Sequence, residues 1–125
     1  IDNDAALLEI TNSLLTANTA VDNGGGLNNY FGTTGISNTT LSANTADMNG
    51  GAVHNGDEST ITVVSSTLTA NSASSGVGGG INNLNTTRLA NTIVAGNLGA
   101  SPDLAGTFNS LGNNLIGDIG FAAGL

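Results

Sequence analysis

The chain has 125 residues, of which 19 are glycine, only 8% are charged, and the formal net charge is −8. Its only Lys or Arg residue is Arg88, which cannot neutralise a row of phosphates, so we expect neither a nucleic-acid partner nor an anionic membrane partner. The absence of cysteine excludes disulfides, thiolate metal sites and cysteine nucleophiles, and no apolar run approaches the roughly 18 residues that would span a membrane as a helix.

A repeat of 26 or 27 residues runs through most of the chain. Four segments align without gaps: 10–20 (ITNSLLTANTA), 36–46 (ISNTTLSANTA), 63–73 (VVSSTLTANSA) and 89–99 (LANTIVAGNLG). A second block follows the first three: 24–29 (GGGLNN), 50–55 (GGAVHN) and 78–83 (GGGINN). A fixed period of this length is typical of solenoids, and repeated glycines with β-branched residues disfavour helix. The pattern predicts an all-β parallel β-helix of about five coils over residues 1–125, regular over 1–97 and irregular over 98–125.

Three apolar columns are predicted to form the core of these coils. In chain order they are Ile1, Leu27, Val53 and Ile81; then Ile10, Ile36, Val63 and Leu89; then Leu15, Leu41, Leu68 and Val94. We also expect a column of small residues to face the core: Ala17, Ala43, Ala70 and Gly96. A column of hydroxyl residues is expected to alternate outward: Ser13, Thr39, Ser66 and Thr92.

Asparagine and glycine recur at the predicted corners. Asparagine tolerates left-handed backbone, and its amide can bond to a turn or to the amide of the next coil. The two asparagine columns are Asn12, Asn38 and Asn91, with Ser65 in the third coil, and Asn18, Asn44, Asn71 and Asn97. Small residues where chains pass closely are Gly25, Gly51 and Gly79. We predict that the second asparagine column, these glycines and the Leu15 column are the residues on which coil stacking depends.

Carboxylates recur in only one turn, at Asp22 and Asp47, with Asn23 and Asn49 beside them. Carboxylate and amide oxygens are ligands that Ca²⁺ prefers, so a weak calcium site is one interpretation of this turn. A solvated turn is the other, and it is favoured because the third coil has serines there. No other cofactor is predicted.

Other residues that could carry chemistry are few. His54 has no second histidine to join it, so a corner position is favoured over a metal ligand. Tyr30 and Phe31 either stack on a sugar or a partner surface, or pack over a coil edge, which is the commoner use. Arg88 shares a column with Glu9, but three coils, about 14 Å, separate them. We therefore expect no catalytic residues, because glycosidases need two positioned carboxylates and lyases a basic residue.

Two motifs carry a family resemblance. The segments GGGL, GGAV and GGGI, with LTAN, LSAN, LTAN and VAGN, resemble the GG[AG][ILV] and [FL]xxN repeats of polymorphic outer-membrane proteins and of related β-helix regions in large secreted bacterial proteins. The resemblance covers roughly residues 1–97, with Leu or Val where the family often has Phe. The segment 101–118 is similar to the one that follows such repeats in long bacterial surface proteins. This resemblance implies a right-handed β-helix in an extracellular or cell-surface, adhesin-like region.

These observations predict a non-catalytic structural segment, acting as an adhesin stalk or surface or as a self-stacking extracellular filament subunit. The alternative is a fragment of a carbohydrate-active β-helix protein, similar to a polysaccharide lyase or glycosidase. Because the first residues fall inside a repeat and neither end has a polar cap, we expect continuation of the same chain or end-to-end stacking of copies. A host-surface or glycan partner is a further expectation.

Overall fold

The computed structural model describes residues 1–125 and is a parallel β-solenoid without helices. It has about 26 residues per turn and roughly four turns, so the predicted fold class is confirmed. The strands are β1 (Asp2–Asp4), β2 (Leu7–Thr11), β3 (Leu14–Thr16), β4 (Thr19–Ala20), β5 (Leu27–Tyr30), β6 (Thr33–Ser37), β7 (Thr40–Ser42), β8 (Thr45–Ala46), β9 (Val53–Asn55), β10 (Thr60–Val64), β11 (Thr67–Thr69), β12 (Ser72–Ala73), β13 (Ile81–Ala90), β14 (Ile93–Val94), β15 (Leu104–Ser110) and β16 (Leu115–Ile116).

Strands of successive turns stack side by side in parallel. β1, β5, β9 and the first part of β13 form one stack, and β2, β6, β10 and the second part of β13 form the next. β15 pairs with both parts of β13. The third stack is β3, β7, β11, β14 and β16, and the short fourth stack is β4, β8 and β12. Residues one repeat apart, such as Leu27 and Val53, are therefore direct neighbours.

The core lies inside the coils and is built from the apolar columns. Fourteen buried residues form one cluster, which runs from Ile10 to Phe108 along the chain. Leu41, Leu68 and Val94 are fully buried, whereas Leu15, in the first turn, is half-buried. Each turn covers the apolar residues of the turn before it, so burial increases from the first turn inward.

Two predicted columns have the opposite orientation. The small residues Ala17, Ala43, Ala70 and Gly96 are exposed, and each has a positive φ, from 54° to 71°. The hydroxyl residues of three turns are buried: Thr39, Ser66 and Thr92. Along a strand, side chains face the core and the solvent in turn. At a corner the left-handed residue also faces solvent, so the residue after it faces the core and the alternation starts again from there. The prediction carried a period of two through the corner and was wrong for both columns.

The glycine column allows backbone to approach backbone. A Cβ on Gly25 would lie 2.5 Å from the carbonyl oxygen of Gly51, and a Cβ on Gly51 would collide with the carbonyl oxygen of Gly79. The preceding residue in each block, such as Gly50 with φ of 68°, has left-handed backbone. Larger residues would therefore separate the turns at this corner.

Residues 98–125 continue the stacks with less regularity. β15 extends the first two stacks, and its register with β13 shifts between Asn83 and Thr87. Phe108, which lies in β15, packs into the core. β16 extends the third stack beside β14. Within the structure, no helix combines the length and apolar character that crossing a bilayer requires.

Candidate functional site

A ladder of asparagine side chains runs through the interior. Asn44 Nδ2 donates to Asn71 Oδ1 at 2.9 Å, and Asn71 Nδ2 donates to Asn97 Oδ1 at 2.9 Å. The backbone N–H of each residue donates to the same oxygen, at 3.0 Å in both cases. Asn18 makes the same two bonds to Asn44 but is itself exposed. The left-handed residue at this corner is the preceding Ala or Gly, so the asparagine is free to point inward.

The ladder ends on a carboxylate that sequence reasoning missed. Asp103 is 2% exposed, and its Oδ1 accepts from Asn97 Nδ2 at 2.7 Å and from Asn97 N at 3.0 Å. Its Oδ2 accepts from the backbone N–H of Asp118 at 2.7 Å. Because a carboxylate has no hydrogen to donate, it accepts from the last asparagine and passes no bond onward. Asp103 stands six residues after Asn97 rather than 26, so the repeat period gave no signal for it.

A second ladder starts from the last residue of each glycine block. Asn3, Asn29, Asn55 and Asn83 donate in series, with Nδ2 to Oδ1 distances of 2.8, 3.0 and 2.9 Å. Asn83 then donates to the carbonyl of Thr107. The repeated Asn in GGGLNN, GGAVHN and GGGINN was visible in the sequence, but its inward orientation was not predicted.

The turn predicted as a calcium site has its amides occupied. Asn23 Oδ1 accepts from both Asn49 N and Asn49 Nδ2 at 3.1 Å, and Asn49 Oδ1 accepts from the backbone N–H of Val77 at 3.1 Å. Asp22 and Asp47 are exposed. The backbone N–H of Met48 donates to the carbonyl of Asp22, just as that of Asp47 donates to the carbonyl of Ala20, whose register partner is Ala46. By the same pattern Asp22 lies opposite Asp47. The structure groups no three His, Cys, Asp or Glu residues for a metal ion. Calcium binding here stays a prediction.

His54 is buried in strand β9 and is not at a corner. It lies between Asn28 and Asn82 in register and is 2% exposed. Its Nδ1 is 3.0 Å from Asn82 Nδ2, which can only donate, so the imidazole accepts there. Its Nε2 has no partner. Burial lowers the pKa of His54 below its usual 6.5, against an opposing effect of the Asp57 carboxylate.

Tyr30 and Phe31 lie beside this column on the outer surface. Tyr30 ends β5, its ring centroid is 5.7 Å from that of Phe31 and 5.9 Å from that of His54, and Phe31 is 53% exposed. One column of paired residues runs through four successive turns and consists of Glu9, Gly35, Thr62 and Arg88. Arg88 and Glu9 are therefore three turns apart.

Comparison with known proteins adds no relative. No protein-family model matches the chain, and searches of curated proteins and of solved structures find no match either. The resemblance to outer-membrane protein repeats therefore stands on the two motifs alone. What the geometry defines is the class, a parallel β-solenoid whose repeated polar residues bond to one another in the interior.

Proposed function

We propose that this chain is a non-catalytic structural segment of a bacterial cell-surface or secreted protein, where it serves as a stalk or adhesin surface. The proposal rests on the repeated asparagines, which are buried and bond one turn to the next. Asn29, Asn44, Asn55 and Asn71 are all completely buried, and each joins its turn to the next. A rod of stacked repeats is stabilised by contacts between neighbouring turns, and these asparagines provide such contacts.

The direction of the ladders favours a stalk over a filament subunit. In both interior ladders the amide donates toward the following turn. The first ladder stops at Asp103, whose two oxygens are already engaged by Asn97 and Asp118. A second copy stacked at that end would meet no donor from this ladder, so stacking would depend on the backbone edges of the last strands and the surrounding apolar residues.

The composition supports an outer surface that meets solvent or protein rather than nucleic acid. A formal net charge of −8 with one Lys or Arg gives a field that repels phosphate. The absence of cysteine and the abundance of small polar residues suit an exposed rod, in which stability comes from stacking.

Location is tested with antibodies raised against the 125-residue chain and applied to intact and permeabilised cells of the source organism. We expect intact cells, or their culture medium, to give most of the signal, while an antibody to a cytoplasmic protein labels permeabilised cells only. Signal that appears only after permeabilisation contradicts the proposal.

The stalk assignment is tested by sedimentation velocity and electron microscopy over a hundredfold range of concentration, with and without EDTA. We expect a single species near the 12.2 kDa chain mass throughout. Fibres that grow with concentration would support the filament subunit instead. Fibres that dissolve in EDTA would also show that their assembly depends on a divalent ion.

A further inference from the structure

A small cavity on the outer surface combines two carboxylates with two aromatic rings. Strands β1 and β5 pair in register, which places Asp2 beside Asn28 and Asp4 beside Tyr30. Phe31 follows directly. These five residues line a cavity of about 240 Å³. Neither the stacking ladders nor the core uses it.

The aromatic rings are held in place from behind. The ring of Tyr30 lies near those of both Phe31 and His54, and it covers Gly56, where a Cβ would lie 2.6 Å from the ring. Phe31 has a φ of 53°, a backbone conformation that bulky residues rarely adopt, and its ring remains 53% exposed. Core packing does not explain an aromatic residue at this position, so its ring is available to a ligand.

The charged groups of the cavity are hydrogen-bond acceptors. Asn28 Nδ2 donates one hydrogen to Asp2 Oδ1 at 3.0 Å, and Asn28 Oδ1 is buried without a partner, so it does not form part of the cavity surface. The carboxylates of Asp2 and Asp4 can only accept, and aromatic faces carry partial negative charge. The one basic side chain, Arg88, lies three turns from Glu9, which is in the same turn as Asp2 and Asp4. Apart from the terminal ammonium of Ile1, which donates to the carbonyl of Gly26, the chain supplies no positive charge beside this cavity.

We propose that this cavity binds a guanidinium group, as carried by an arginine side chain of a partner polypeptide. A guanidinium is planar, positively charged and rich in donors, so it can stack on Tyr30 or Phe31 while its N–H groups reach the carboxylates of Asp2 and Asp4. A neutral sugar fits less well because its hydroxyls can donate to the carboxylates but bring no charge to compensate theirs. The proposal is independent of the structural role, since a passive rod need not bind arginine.

The chain provides its own reporter for this site. Tyr30 is the only tyrosine and there is no tryptophan, so fluorescence excited at the tyrosine band comes from the cavity wall. We expect N-acetylargininamide to change this signal saturably, with a Kd on the order of 1 mM. Asp4→Asn should weaken binding roughly threefold. The matched control Asp47→Asn removes the same charge from an exposed turn and should leave the Kd unchanged.

Further ligands and variants separate the outcomes. N-acetylcitrullinamide has nearly the same shape without the charge, and equal binding by it would overturn the proposal. Saturable binding of methyl glucopyranoside without binding of N-acetylargininamide would assign the cavity to sugars instead. A strictly linear fluorescence change, or equal weakening by both Asp variants, would also overturn it. Circular dichroism of each variant verifies the fold, and Phe31→Gly, which suits the positive φ, should weaken binding without unfolding the chain.

Discussion

Replacing Asn71 by Leu tests the interior ladder at its centre. The Asn71 side chain accepts from Asn44 N and Nδ2 and donates to Asn97 Oδ1 and to the carbonyls of Leu41 and Thr69. Leucine removes all of these contacts, in which the two Nδ2 hydrogens are shared among three acceptors, and leaves the buried backbone N–H of Asn44 without a partner. An orphaned buried donor costs about 1–3 kcal/mol, and each further lost bond costs about 1 kcal/mol, partly offset by the apolar side chain.

We therefore expect Asn71→Leu to lower the free energy of unfolding by about 3 kcal/mol. For a chain of this size that corresponds to a fall in Tm of about 10 °C. Thermal and urea unfolding followed by circular dichroism measure it. Asn18→Leu is the matched control, because Asn18 occupies the same column but is exposed and bonds only to Asn44, and we expect it to cost less than about 1 kcal/mol. Equal losses in the two variants, or no loss in either, would refute the ladder as a source of stability.

Three further predictions concern single positions. Because the pKa of His54 is lowered in the folded state, the unfolded chain binds the proton more readily, so stability should be full above pH 6.5 and fall as the pH drops below it. Urea titrations between pH 5.5 and 8 measure this, and His54→Asn should remove the dependence. Stability that rises on acidification would contradict the prediction. Ala70→Gly should be neutral or stabilise by up to about 1 kcal/mol in thermal melts, because Ala70 has a φ of 55° and is exposed, whereas a core residue would lose stability. Asp103→Asn should lower the free energy of unfolding in urea by about 1–3 kcal/mol, because the amide has one acceptor oxygen and the carboxylate uses two. An unchanged urea midpoint would show that the ladder does not depend on Asp103.

The period and the apolar columns were enough to predict the solenoid and its core. Leu41, Leu68 and Val94 recur at the repeat period, and in a parallel stack such residues must become neighbours. The direction of a side chain near a corner could not be predicted in the same way. Each left-handed residue, such as Ala43 after Ser42, makes two consecutive residues face outward, so the period of two restarts at the corner.

The residues with unusual environments lay beyond sequence reasoning for a different reason. Asp103 ends the ladder through contacts made in an irregular segment, where no period relates it to Asn97. The burial of His54 depends on residues that cover the outer face of β9, which alternation along that strand does not reveal. The cavity at Tyr30 follows from the pairing of β1 with β5, which only the register discloses.

The central claim is that equivalent residues of successive repeats lie side by side in a parallel stack. Thr40 is paired with Thr67, and Thr67 with Ile93. The native chain has no cysteine, so engineered pairs can be read without interference. Strands one turn apart are about 4.8 Å from each other, within reach of a disulfide, and strands two turns apart are about 9.6 Å from each other, beyond it. We expect Thr40→Cys with Thr67→Cys to oxidise to an intramolecular disulfide, while Thr40→Cys with Ile93→Cys stays reduced. Efficient closure of the second pair, or failure of the first, would contradict the parallel stack.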